Sequence, residues 1–305
     1  MSKEKTQHAV QTTGHAWDGD LQEFNNPLPA WWLWAFYGTV IFAVVYWVLF
    51  PAWPVGKSYT KGMLNDISYT TPDGRQVTSH WNTRALFLED MERARAERAR
   101  FLEQLQAASL NEIAANEELS AFAYSMAKVL FADNCAACHQ AGGNGVIGSY
   151  PNLLDDDWLW GGSYDAIHAS INNGRNGFMP AFNKTLDETQ LDDVAEYVLS
   201  LSGTEVDGRK AARGSDIFNG ETGGCYYCHD KGGMGRASLG SANLTDRVWT
   251  IADVPGQGSL EAKKAVVKQV IASGVSRKMP AWKDRLNDTE IKILTFYVHE
   301  LGGGK

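Results

Sequence analysis

The sequence predicts a mainly α chain, with one membrane-spanning helix near the N-terminus followed by two tandem copies of a small domain. Three observations predict it: an uncharged apolar stretch edged with Trp, a set of short motifs that recurs in the second half, and helical patterning around both copies. The length agrees, since 305 residues correspond to about two domains. With 44% hydrophobic and 21% charged residues, most of the chain folds. Only 9 Pro and 30 Gly exclude long low-complexity or collagen-like segments. A net charge of -8 and a pI near 5.4 make nucleic acid an unsuitable partner. Four Cys are too few to staple a chain of this size.

Residues 31–50 read WWLWAFYGTVIFAVVYWVLF, without charge or Pro. Twenty residues at helical rise reach about 30 Å, the thickness of a bilayer core. Trp31, Trp32 and Trp34 mark one end and Trp47 and Trp53 the other, which is where Trp settles at lipid–water interfaces. Pro27 and Pro29 precede the span, and Pro51 and Pro54 close it. A cleaved signal peptide would start near residue 1 and end in small residues; this one starts thirty residues in and ends Phe50-Pro51-Ala52-Trp53. The stretch 31–53 is therefore read as a retained anchor in contact with membrane lipid, with residues 1–30 on one side. The span holds no Asp, Glu, Lys, Arg or His, so it offers no proton relay. Loop charge does not orient it, because Lys3 and Lys5 on one side balance Lys57 and Lys61 on the other.

Residues 54–120 form a linker. The part from 57 to 80 reads as extended or irregular chain with a turn at Pro72-Asp73-Gly74. Residues 83–107 read as a charged helix, with Leu86, Phe87, Phe101, Leu102 and Leu105 as its apolar stripe. Arg93, Arg95, Arg98 and Arg100 alternate with Glu92 and Glu97, which describes a solvated face with local ion pairs.

From about residue 120 the chain repeats itself. Cys135-Ala136-Ala137-Cys138-His139 is matched by Cys225-Tyr226-Tyr227-Cys228-His229, and Pro151-Asn152-Leu153 by Ala242-Asn243-Leu244. A Trp follows six residues after each Asn, Trp158 and Trp249. Ile171, Gly174 and Met179-Pro180-Ala181-Phe182 recur as Ile271, Gly274 and Met279-Pro280-Ala281-Trp282, each followed by a similar helix. The period is too long for a solenoid. It divides the chain into domains at 121–203 and 204–305.

Every Cys lies in a Cys-x-x-Cys-His string. Two thiols three residues apart share one face of a helical turn and can add to both vinyl groups of one haem, and the adjoining His then reaches the iron; this is the c-type haem attachment signature. A thioredoxin-like pair would need a βαβ setting, which the sequence does not offer. A zinc site built from two Cys-x-x-Cys pairs is disfavoured, because each pair carries its own His and its own downstream repeat. The expectation is two covalent haem c groups, on Cys135 and Cys138 and on Cys225 and Cys228, with His139 and His229 as axial ligands. Met179 and Met279, forty and fifty residues beyond their His, supply the soft sixth ligands, each on a loop stiffened by the following Pro. Met126 and Met234 have no counterparts in the other half, and His168 aligns with Lys268. His80 lies outside the repeat, and His299 aligns with Leu199 as a core or surface residue. His/Met ligation suits electron transfer and leaves no open position for substrate, so no catalytic residue is assigned. The free nitrogen of each ligating His needs an acceptor; the carbonyls of Pro151 and Ala242 are the candidates.

The pattern resembles the di-haem subunit of cbb3-type cytochrome c oxidase, the CcoP/FixP family. The resemblance is carried by Asp18-Gly19, by Asn26-Pro27-Leu28-Pro29 running into Trp31-Trp32, by the Pro51-Ala52-Trp53-Pro54 exit, by two cytochrome c domains behind one anchor, and by Asp157-Trp158-Leu159-Trp160-Gly161-Gly162. It implies one transmembrane helix followed by two tandem class I cytochrome c domains. It also implies a bacterial inner-membrane location with the haem domains in the periplasm. In that role the chain takes electrons from a donor cytochrome c and passes them to the mono-haem and haem–copper subunits, which reduce oxygen and pump protons. The chain is then an electron-transfer subunit and not an enzyme in isolation. The helix at 83–107 carries none of the resemblance, and Tyr226-Tyr227 and Ala242 depart mildly from the usual pattern. The alternative is a free-standing anchored di-haem shuttle. A di-haem peroxidase would need one haem able to open a coordination site, and the Met-Pro loop shared by both halves argues against it; six-coordination likewise disfavours a ligand sensor. Residues 121–203 carry 3 basic and 10 acidic residues, net -7, against 15 and 12, net +3, for 204–305. The acidic half, with Asp155, Asp156 and Asp157, is the expected docking face for a basic donor.

Overall fold

The computed structural model describes residues 11–63, 66–71 and 73–302; Lys3, Lys5 and Pro72 lie outside them. The chain divides into two compact units after Arg98. In the first, β1 (Thr12–Trp17) pairs antiparallel with β2 (Leu21–Phe24) around a turn in which Asp18 and Gly19 take positive φ. Helix α1 (Ala30–Leu49) starts after Pro29, which has no N–H to leave unsatisfied. It contains none of the buried residues and is the one described helix long and apolar enough to cross a membrane. Two hairpins follow: β3 (Pro54–Val55) with β4 (Ser58–Tyr59), and β5 (Asp66–Thr70) with β6 (Gln76–His80).

Helix α2 (Thr83–Ala107) crosses from the first unit into the second. Within the first unit Glu92 does not pair with an arginine of its own helix. Its carboxylate accepts from the Thr70 N–H at 3.1 Å and the Thr70 hydroxyl at 2.8 Å. Phe87 leaves the expected stripe and is 60% exposed. Within the second unit Leu105 is fully buried and Phe101 stacks on Phe122 at 4.7 Å.

The rest of the second unit is α3 (Leu110–Ala115), α4 (Glu117–Asn134), α5 (Ala136–His139), α6 (Tyr164–Asn173), β7 (Arg175–Met179), α7 (Glu188–Leu201), α8 (Gly208–Asn219), α9 (Tyr226–His229), α10 (Leu260–Ser273), β8 (Val275–Met279) and α11 (Asp288–Glu300). Its two hydrophobic cores do not follow the sequence halves. The first gathers Leu119, Ala123, Ala127 and Phe131 of α4 and Ile167 and Ile171 of α6 around Ile291, Leu294 and Tyr297 of α11. The second gathers Phe218 of α8 and Val267 and Ile271 of α10 around Leu191, Val194 and Val198 of α7. Each repeat thus lends its last helix to the other.

The crossing occurs at β7 and β8, which pair antiparallel from Arg175↔Met279 to Met179↔Val275. The physical cause is local. Six residues, 202–207, join α7 to α8, and so short a connection favours antiparallel neighbours. Gly214 lets them meet, because a Cβ there would lie 2.6 Å from the Asp193 carbonyl carbon and 2.9 Å from Tyr197 Cβ.

Candidate haem sites

The first Cys-x-x-Cys-His string follows α4 directly and five residues, 220–224, separate the second from the end of α8; each forms a single helical turn of its own. Cys135 caps α4, and the His139 N–H returns to the Cys135 carbonyl at 2.9 Å; in the second site the His229 N–H reaches the Cys225 carbonyl at 2.9 Å. The residue after each His, Gln140 and Asp230, has positive φ, 67° and 62°. That turn folds the chain back onto the motif: Gly145 N–H donates to the His139 carbonyl and Gly235 N–H to the His229 carbonyl, both at 2.9 Å. The predicted acceptors are in place. His139 Nδ1 lies 3.1 Å from the Pro151 carbonyl and His229 Nδ1 2.9 Å from the Ala242 carbonyl. A carbonyl only accepts, so Nδ1 carries the proton and the Nε2 lone pair is left for a metal. Burial lowers both imidazole pKa values, against the opposing pull of those carbonyls, and so favours the neutral, ligating form. Burial likewise pushes the Cys135 and Cys225 thiols up to about 11, with their Cys138 and Cys228 neighbours adding to it.

The second site surrounds a cavity. Cys225, His229, Ala242 and Leu244 line it from the second repeat, with Phe218, Trp249, Val267 and Ile271; Met179, Val194 and Val198 line it from the first. In the first site Cys135, Trp158 and Tyr164 pack on the α4–α6–α11 core, together with Met279 and Trp282 from the second repeat. The donor set in each place is two thiols, one oriented imidazole and one thioether in an apolar surround, and these residues fit a haem c.

The expected pairing of each His with the next Met in sequence is therefore not what the structure places together. Met179 lies with Cys225 and His229, and Met279 packs in the core that holds Cys135. The reason is the helix exchange, which carries each Met-Pro loop across with it. Sequence reasoning named Gly174 and Gly274 as part of the repeat but gave them no role. Each has φ of 69°, and each lies against the Met-Pro-Ala turn of the other repeat, with a Cβ on Gly274 falling 2.7 Å from the Ala181 N and 2.8 Å from the Pro180 carbonyl carbon. Their recurrence ahead of each Met was the available signal. His299 stacks on Tyr164 at 3.9 Å, and His80 bonds the Tyr59 hydroxyl at 2.8 Å.

An apolar membrane-length helix, then paired Cys-x-x-Cys-His turns with oriented imidazoles, define an anchored c-type cytochrome. The family of the N-terminal domain of cbb3 cytochrome oxidase, FixP, matches residues 9–57. The family of cytochrome c oxidase, cbb3-type, subunit III, matches residues 123–198 and 209–298. Among curated relatives, the cbb3-type cytochrome c oxidase subunit FixP of Azorhizobium caulinodans is 43% identical, over 96% of this chain and 94% of the relative. The subunit CcoP of Cereibacter sphaeroides is 37% identical over 96% and 95%, and the subunit FixP of Bradyrhizobium diazoefficiens 39% over 96% and 95%. The chain belongs to the CcoP/FixP family, subunit III of cbb3-type cytochrome c oxidase.

Proposed function

We propose that this chain is the membrane-anchored di-haem entry subunit of a cbb3-type oxidase. It receives electrons from a donor cytochrome c and delivers them to the mono-haem and haem–copper subunits. The observation that carries the proposal is the pair of Cys-x-x-Cys-His turns, each with its His Nδ1 fixed on a carbonyl and with a Met-Pro loop packed in the same core. Cys135, Cys138 and His139 would hold one haem and Cys225, Cys228 and His229 the other, with Met179 and Met279 as sixth ligands. Bound haem supplies a one-electron couple whose potential is raised by His/Met ligation.

The chain's own residues do the rest. The carbonyls of Pro151 and Ala242 fix ring orientation and raise ligand basicity. The apolar walls, among them Trp158 and Tyr164 in one site and Trp249 and Val267 in the other, exclude water and keep reorganisation small. Both sites have the same donor set, which favours electron transfer over peroxide or oxygen chemistry in this chain. Helix α1 anchors it without a titratable residue, so proton movement belongs to the other subunits. Haem attachment in bacterial c-type cytochromes occurs outside the cytoplasmic membrane, which supports periplasmic haem domains.

Gentle detergent purification of the tagged native chain tests this. Co-purifying haem b and copper, with oxygen consumption, are expected. Two haem c per chain with no partner, under conditions that keep known membrane complexes whole, would favour the free-standing shuttle instead.

A further inference from the structure

We propose that Arg277 is a counter-ion held in common by the two haem sites: its guanidinium takes haem propionate carboxylates from both and raises both reduction potentials together. The proposal rests on reading both Cys-x-x-Cys-His motifs as haem attachment sites.

The register of β7 and β8 places it. Arg175 stands opposite Met279, Gly177 opposite Arg277 and Met179 opposite Val275. Burial alternates along both strands in step with that register. These six residues therefore share the inner face, and Asn176, Phe178, Ser276 and Lys278 turn outward. The inner face belongs to both sites. Met179 and Val275 line the cavity with Cys225 and His229, and Met279 packs in the core that holds Cys135. Arg277 occupies the middle. Met279 is its next neighbour on the same side of β8, and Met179 is its diagonal neighbour across the pair; such a diagonal spans about 7–8 Å, within reach of a long side chain.

Arg277 also lacks a partner of its own. It is half-buried, and burial works against its charge. Among the described residues no carboxylate, hydrogen-bond acceptor or ring meets its guanidinium, and a cation drawn out of water without a partner is unfavourable. Arg175 on the same face is satisfied: its Nε donates to the Ser170 hydroxyl at 2.9 Å, its Nη2 to the Ala166 carbonyl at 3.3 Å, and it lies over the Trp160 ring at 4.7 Å. Opposite Arg277 stands Gly177, where an added Cβ would meet nothing within 4 Å, so the strand beside the guanidinium is uncovered. That glycine is also the residue matching Arg277 in the first repeat, so the repeat does not duplicate this cation. The haem sites need one. Each haem c brings two propionate carboxylates, and enclosed carboxylates need donors. No lysine or arginine is among the residues lining the second cavity, and Asp246 adds a carboxylate there. A guanidinium offers five N–H donors in a fork that fits carboxylates, so one arginine can serve both sites. A ferric haem carries one more positive charge than a ferrous one. A fixed cation beside it therefore disfavours the ferric state and raises the potential.

The test is an optical redox titration of the full-length, haem-loaded, detergent-solubilised chain, as parent and as Arg277→Gln, Arg277→Lys and Lys278→Gln. The proposal expects Arg277→Gln to lower both potentials, each by about a tenfold change in the reduction equilibrium, which is about 59 mV for one electron. Arg277→Lys keeps the charge and should return more than half of both shifts. Lys278→Gln, on the outer face, should leave both potentials where they are. Potentials unmoved by Arg277→Gln, a shift in only one of them, or an equal effect of Lys278→Gln would each overturn the proposal. A second measurement does not depend on the Gln variant folding. In the chain grown with isotope-labelled arginine, the reduced-minus-oxidised infrared spectrum should contain a guanidinium band that Arg277→Lys removes, and absence of that band overturns the proposal. Covalent haem is counted in every sample. Fewer than two per parent chain would sink the haem reading itself; with two present, the potentials and the infrared band judge Arg277 alone.

Discussion

The ion cluster between α7 and α10 turns the exchanged packing into a measurable energy. Lys264 and Glu196 are 3.4 Å apart, with side chains only 7% and 3% exposed. Glu261 at 2.8 Å, followed by Asp192, holds the Lys264 ammonium well above the usual lysine range, against the opposing effect of burial. At an effective dielectric constant of about 20, a pair at that distance attracts by about 5 kcal/mol. Desolvation of both ions offsets most of it, which leaves a coupling of about 1–3 kcal/mol. Lys264→Met alone strands Glu196 with only Lys210 at 4.0 Å, and the cost is about 3–5 kcal/mol. Glu196→Gln relieves part of that cost, so the double variant is more stable than the sum of the two singles. The assay is denaturant unfolding of the haem-loaded, detergent-solubilised chain in a four-member double-mutant cycle, followed by circular dichroism. Additivity within about 0.5 kcal/mol would mean that α7 and α10 do not meet, and would refute the packing described here.

Four further outcomes follow from the same contacts. Gly274→Ala forces an L side chain into a Gly-only region, φ 69° and ψ -176°, against the Met179-Pro180-Ala181 turn; a loss of about 1–3 kcal/mol and a weakened Met-ligation band are expected, and an unchanged melting curve would count against that contact. Lys292→Ala leaves the Leu105, Gln106 and Ala108 carbonyls at the end of α2 without their cation; a loss of about 1–2 kcal/mol is expected in thermal melts, and no shift would place Lys292 in solvent. Burial, followed by Asp246, Asp155 and Asp156, raises the Asp157 pKa to about 6. A folded state that holds its proton more tightly than the unfolded chain loses stability as pH rises from about 4 to about 6. Asp157→Asn should therefore be more stable than the parent by about 1 kcal/mol at pH 7, after discounting for solvent screening, and equal to it below about pH 4; parallel Tm–pH curves would refute this. Neutralising Asp155, Asp156 and Asp157 together should slow association with a basic donor cytochrome about tenfold at low ionic strength and flatten its salt dependence. An unchanged rate measured by stopped flow would remove that cluster as the docking face.

What could be read from the sequence was whatever a short stretch of chain decides by itself. The anchor needs only twenty uncharged residues and its Trp flanks, and the haem turns need only their five-residue strings. The Pro151 and Ala242 carbonyls followed from an obligatory partner for each His at a matching place in both repeats. The partnership of the repeats was not legible, because Ile171 and Ile271, or Phe182 and Trp282, are chemically equivalent and either could close either loop. The discriminating residues, Asp192 and Glu196 against Lys264 and Lys268, were visible as charges, but summing charge over each half concealed that they belong together. Strands β1 and β2 carry only exposed residues, so no alternating burial marked them. Glu92 was credited to a neighbouring arginine because helical spacing permits it, whereas the β5 end offered two donors from Thr70.

The central claim is that this chain is where electrons enter the oxidase, and rapid mixing of the purified oxidised complex with a reduced donor cytochrome c tests it most directly. The account predicts that c-type haem absorbance rises before any reduction of haem b. It also predicts that a complex whose copy of this chain lacks Cys135, Cys138, Cys225 and Cys228 still reduces oxygen from a small artificial donor but no longer oxidises the cytochrome. Undiminished cytochrome oxidation by that complex would contradict it.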